Sequence, residues 1–144
     1  MKKSVLSAAV LSGLLLCAQA QAQLSPLGVW TPIDEASGKP SAEIVISTNA
    51  AGTLSGVIQK TLIVAPGASA ACDKCTDHRK GKPTQGMEII RGGKKLDGKD
   101  VWEGGKILDP KEGKEFSVRL TPIDGGKKME VRGYIGSPTL GKTQ

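Results

Sequence analysis

From Leu24 to the end of the chain, no stretch of about a dozen residues repeats its apolar side chains every three or four positions. Short alternating runs recur instead. Phe116, Val118 and Leu120 alternate with Ser117, Arg119 and Thr121, which makes an extended strand apolar on one face and polar on the other. Beyond the reversal Asp124-Gly125-Gly126, Met129 and Val131 alternate with Glu130, Arg132 and Tyr134. A chain patterned in this way has no helical stripe to bury. It must pair strands.

Further β-type runs lie at 27–33 (LGVWTPI), 42–48 (AEIVIST), 53–60 (TLSGVIQK), 86–91 (GMEIIR) and 100–108 (DVWEGGKIL), separated by clusters of Gly, Pro, Asn and Asp. A last short run is PTLGKT, and LIV at 62–64 is a further strand candidate. In DPKEG, Pro110 supplies a preset φ for a turn and Gly113 a residue free of Cβ restraint. The count, about seven to nine short antiparallel strands, predicts a sandwich or a closed barrel. Nineteen glycines suit the bulges and tight corners of a small, strongly bent barrel. The segment 61–85 reads mainly as a long loop, and loops of that length are usually functional or stapled.

The start of the chain is of another kind. Lys2 and Lys3 precede the apolar run VLSAAVLSGLLLCAQA, and Ala18-Gln19-Ala20 and Ala20-Gln21-Ala22 both offer small residues for cleavage. That is the pattern of a bacterial secretory signal, and the run is short for a membrane span. A lipoprotein signal would want a small residue before Cys17, where Leu16 stands. The reading is therefore a cleaved signal at 1–22 and one domain at 23–144, periplasmic or secreted, with no transmembrane segment in the mature chain. Cleavage removes one of three cysteines, and it takes the 20 basic residues to 18 against 14 acidic, a net charge of +4. Four aromatics and no Arg/Lys stripe argue against nucleic acid.

The two remaining cysteines stand in ACDKCTDHRKGKP beside His78, the single histidine. Thr76 occupies the place where haem attachment needs histidine, and no βαβ setting supports a redox motif. In an exported chain, a disulfide between Cys72 and Cys75 is the expectation, with His78 an exposed member of the polar run DHRKGK. The alternative is a metal site of Cys72, Cys75 and His78, completed by Asp73 or Asp77, although no second Cys or His pair supplies the usual framework. No nucleophile–base group, phosphate loop or paired-histidine motif is legible, so no catalytic residue and no cofactor is read.

Gly28-Val29-Trp30 resembles the Gly-x-Trp of lipocalin-type barrels, in which the indole plugs one end; core packing explains Trp30 equally well. Over nearly the whole mature chain, GVWTPIDEASGKPSAEIVI, CDKC with GKPTQGMEII, WEGGKILDPKEGKEFSVRL and KKMEVRGYIG resemble the exported bacterial proteins called DUF2147. The most specific parts are GGKILDPKEGKEF and RGYIG; family members often extend beyond LGKTQ with a short aromatic and basic tail. The resemblance implies an all-β fold, a small antiparallel lipocalin-like β-barrel of about eight to ten strands. It carries no activity with it.

The leading expectation is a non-enzymatic envelope protein that binds a small hydrophobic or amphiphilic ligand in or at the mouth of the barrel. Trp30, Trp102 and Tyr134 would supply contact area, and Arg132 would meet an anionic head group. The competing expectation is an interior filled by the barrel's own side chains. The alternative function is a structural or interaction module that meets envelope protein partners through its loops.

Overall fold

The computed structural model describes residues 23–64 and 66–144; the expected signal at 1–22, with Cys17, lies outside the described residues. Nine strands follow one another: β1 Gly28–Trp30, β2 Ala42–Thr48, β3 Leu54–Thr61, β4 Glu88–Gly92, β5 Lys94–Lys95, β6 Trp102–Asp109, β7 Lys114–Ile123, β8 Lys128–Tyr134 and β9 Lys142–Thr143. They form one antiparallel sheet in the order β1-β2-β3-β4-β6-β7-β8-β9, with β5 as a short side pair on β6. Among the described residues no ladder joins β9 to β1, so the barrel is a half-barrel with an open seam rather than the closed form expected.

The register shows which side chains line the concave face. Ile46 stands opposite Gly56, Gly56 opposite Ile90, Ile90 opposite Ile107, and Ile107 opposite Phe116. From this face Ile46, Leu54, Ile58, Ile90, Val118 and Leu120 join Met87, Ile89, Leu108 and the two cysteines Cys72 and Cys75 in one apolar core, with Ile107 packed against it. Leu120 is 1% exposed, and burial of a side chain of its size contributes about 1.5–3 kcal/mol. Gly56 is required here: a Cβ in its place would sit 2.8 Å from Ile90 Cβ. Register shifts at Gly56/Val57 and between Trp102 and Gly105 bend the sheet around this core.

The two ends of the half-barrel differ. One end carries residues 23–27, which precede β1. Pro26 is fully buried and accepts a 2.7 Å hydrogen bond from Trp30 Nε1, while Leu24 lies against Gly126 in the β7–β8 turn. At the other end, the β1–β2 connection reaches two elements. Asp34 faces Lys111 of the β6–β7 turn at 4.0 Å, and Glu35 accepts from Lys142 of β9 at 2.8 Å. The second contact crosses the open seam.

Two segments depart from the sequence reading. Residues 62–64 form no strand: the amides of Leu62 and Ile63 both donate to the Ser41 carbonyl, which ends the ladder. Lys94–Lys95, polar and without alternation, does pair with β6, because the bond from Leu96 N to Val101 O closes a tight hairpin above it.

Candidate functional site

The long connection between β3 and β4 is ordered by covalent and ionic staples. Cys72 and Cys75 form a disulfide with Cα atoms 5.4 Å apart, and neither residue is more than 1% exposed. The Cys72 amide donates to the Lys82 carbonyl, and the Gly81 amide donates back to the Cys72 carbonyl, which makes a small hairpin of 71–83. The hairpin docks on the β6–β7 turn. Cys72 Sγ lies 3.4 Å from the Pro110 carbonyl, and a Cβ at Gly113 would overlap the Lys74 carbonyl. With both sulfurs bonded to each other, no thiolate is available to a metal in this state.

Arg79 fastens the same hairpin to the sheet. It is 5% exposed, whereas its setting in a run of charges reads as solvated surface. Its Nη2 donates to Asp77 at 2.6 Å and to Glu115 of β7 at 2.8 Å, and Nη1 donates to the Glu88 carbonyl of β4 at 3.1 Å. Arg91 also donates to Glu115, at 3.1 Å. The hydrogen bonds from Arg79 hold the Asp77 carboxyl far below the usual carboxylate range, and Arg79 followed by Arg91 lowers that of Glu115. The sequence signal for this role was slight: an aspartate two residues before an arginine, inside a stapled loop. His78 is exposed, as expected, and lines a shallow cleft of about 330 Å³ with Lys82, Gln85 and Met87.

The four residues expected to meet a ligand are divided by the sheet. Trp30 stands opposite Ile44 and Trp102 opposite Leu120, so both lie on the concave face. Arg132 and Tyr134 flank Gly133, which stands opposite Val118, so both project from the convex face. The Arg132 guanidinium donates to the Pro138 and Thr139 carbonyls and to the Thr143 hydroxyl, and it holds the β8–β9 connection. Tyr134 is buried beneath that connection, and burial raises its phenol above its ordinary value. Lys95, which the sequence did not single out, has its ammonium 5.4 Å from the centre of the Trp102 ring, where a cation is attracted to the π-face.

The concave face is filled unevenly. Ile46, Leu54, Ile58, Ile90, Val118 and Leu120 are buried, while Trp30, Ile44, Trp102, Ile107, Met129 and Val131 are only partly covered. A second cleft, of about 750 Å³, is lined by Gln23 and Lys95–Asp100 at the end where Trp102 begins β6. Of the eleven buried core residues described, ten line neither cleft, and Met87 reaches the smaller one.

Residues 28–144 match the family model described as "Uncharacterized protein conserved in bacteria (DUF2147)". The chain belongs to this family. Among solved structures, the DUF2147 chain is similar to HP1028 of Helicobacter pylori, a protein described as belonging to the lipocalin family. The TM-score is 0.68 at 18% identity, over 83% of this chain and 80% of that one. At that identity the likeness is one of fold. No curated protein matches by sequence. The DUF2147 fold is thus an antiparallel, lipocalin-like half-barrel, and no described helix is long and apolar enough to cross a membrane.

Proposed function

We propose that this DUF2147 protein is exported through cleavage of residues 1–22 and binds a small, partly apolar ligand against the partly covered strip of its concave face. The observation that carries the reading is the contrast within that face. Its centre is packed shut, while Trp30, Ile44, Trp102, Met129 and Val131, on the strands nearest the seam and at the start of β6, keep part of their apolar surface in water. Partly wet apolar side chains beside a few polar groups are what a small-molecule site offers. Trp30 and Trp102 supply flat contact area, and Lys95, which also pairs with Asp100 at 2.9 Å, is the cation nearest to them, in place of Arg132. The buried disulfide accords with an oxidising compartment.

Both tryptophans of the chain lie on this face, so intrinsic fluorescence reports on it directly. Titration with a medium-chain fatty acid should shift the emission saturably, and native mass spectrometry of protein from its own periplasm should show a co-purifying small molecule. A flat titration together with a bare mass overturns the proposal.

A second reading, an interaction module acting through the loops, is favoured by the 71–83 hairpin. It is held rigid without belonging to the sheet, and it exposes His78, Lys80 and Lys82. Pull-downs comparing the native chain with Lys80→Glu/Lys82→Glu test it. Unchanged partners exclude this surface.

A further inference from the structure

Five of the eight large hydrophobic side chains exposed on the described surface gather at one end of the half-barrel: Ile33 (54%), Leu62 (39%), Val64 (59%), Ile135 (73%) and Leu140 (81%). Ile33 belongs to the β1–β2 connection, Leu62 and Val64 follow β3, and Ile135 and Leu140 belong to the β8–β9 connection. These three connections adjoin one another around the seam. The Leu62 amide donates to the Ser41 carbonyl at 2.9 Å, which links the chain after β3 to the β1–β2 connection, and Glu35 of that connection meets Lys142, the first residue after the β8–β9 connection, at 2.8 Å. The five side chains therefore form one arc of apolar tips, carried on separate loops at a single end of the molecule.

Charge on this arc favours an anionic neighbour. Asp34 is occupied by Ser37 and Lys111, and Glu35 by Lys142 and Gln144. Lys39 and Lys60 make no ion pair among the described residues, although Glu43 stands opposite Lys60 in the ladder. At the base of the Leu140 tip, the Arg132 guanidinium meets carbonyls and a hydroxyl but no carboxylate.

We infer that this rim docks on an anionic lipid surface, with the aliphatic tips entering the headgroup boundary and Lys39 and Lys60 facing lipid phosphates. Apolar insertion combined with basic residues is the two-signal pattern of reversible membrane attachment. A stable protein interface would instead draw on aromatic and arginine anchors in a flat, packed patch, and none of the five side chains is aromatic. The inference goes beyond ligand binding and does not require the concave face to hold anything.

The test is co-sedimentation of the mature chain with vesicles of phosphatidylglycerol and phosphatidylethanolamine, against vesicles of phosphatidylcholine alone. Binding to the anionic vesicles is expected, weakened by salt and reduced about tenfold or more in Ile135→Ser/Leu140→Ser. Leu140→Ser alone, the most exposed of the five, serves if the double variant fails to fold. Two results overturn the inference: no partition onto anionic vesicles, or equal partition of the folded variant. A third also does so. If sedimentation velocity shows self-association that the variant abolishes, the rim belongs to a second copy of the chain.

Discussion

Arg79 and Glu115 are 36 residues apart in the chain and 2.8 Å apart in the fold. Their contact ties the 71–83 hairpin, whose Cys72 and Cys75 also pack in the apolar core, to the interior strand β7, and Arg91 shares the same carboxylate. Arg79→Ala removes bonds to Asp77, Glu115 and the Glu88 carbonyl at once, leaving acceptors that are half-shielded from water. Hydrogen bonds to charged groups are worth about 1.5–3 kcal/mol each, and partial exposure of the two carboxylates offsets much of their sum. The expected loss is about 2–3 kcal/mol, read from the urea midpoint at neutral pH. A loss below about 0.5 kcal/mol, the usual range for a surface change, would show that Arg79 does not hold the loop.

The same contacts set a pH dependence. Asp77 and Glu115 both have folded-state values below their ordinary ones, first because Arg79 donates to their ionised forms. In the unfolded chain these carboxyls take up protons near about pH 4, while the folded protein still holds them ionised. Their stabilisation is therefore complete above that range and is lost as pH falls through the folded values. Urea midpoints should decline steadily below about pH 4, and Glu115→Gln should flatten the upper part of the decline. A midpoint independent of pH between about 5 and 2 would contradict the network.

Much of the sheet was readable because alternation is local. Val118 and Leu120 pack in the core as their pattern requires, with Phe116 partly covered on the same strand, and β2 occupies the 42–48 run read from sequence. The alternation that turns Met129 and Val131 inward also turns Arg132 and Tyr134 outward, so the division of the expected ligand residues was present in the pattern. The position of Arg79 was not. DHRKGK is indistinguishable from solvated charge until β4 and β7 are brought against it, and those contacts lie 9 and 36 residues away. The open seam was equally hidden, because closure depends on whether the edge strands meet, and β1 and β9 are only three and two residues long.

Gly113 gives a second measure of the hairpin's docking. Its φ of +65° is left-handed, and its missing Cβ is the space taken by the Lys74 backbone. Gly98 has a similar φ of +69° with nothing within 4 Å. Alanine at either site costs about 1–2 kcal/mol for the backbone conformation, but only Gly113→Ala must also push the hairpin away, at a further 1–3 kcal/mol or so. Chemical denaturation of the two variants should therefore differ by about 2 kcal/mol. Equal losses would mean that the hairpin yields freely at that contact.

The disulfide itself should be hard to reach and moderate in effect. Cys72 and Cys75 are no more than 1% exposed, so a reductant meets the bond only when the 71–83 hairpin leaves the β6–β7 turn. Closing so short a ring removes about 2 kcal/mol of unfolded-state entropy in the chain-entropy model. Cys72→Ser/Cys75→Ser should therefore lower stability by about that amount while the sheet still forms, since neither residue belongs to a strand. With the disulfide intact, the rate at which dithiothreitol exposes alkylatable thiols should be steeply higher in Gly113→Ala and Arg79→Ala, which loosen the docking from opposite sides, than in the native chain. If the thiols appear at the same rate in all three proteins, opening of the hairpin is not what guards the bond, and the burial seen at Cys72 and Cys75 is not sustained in solution.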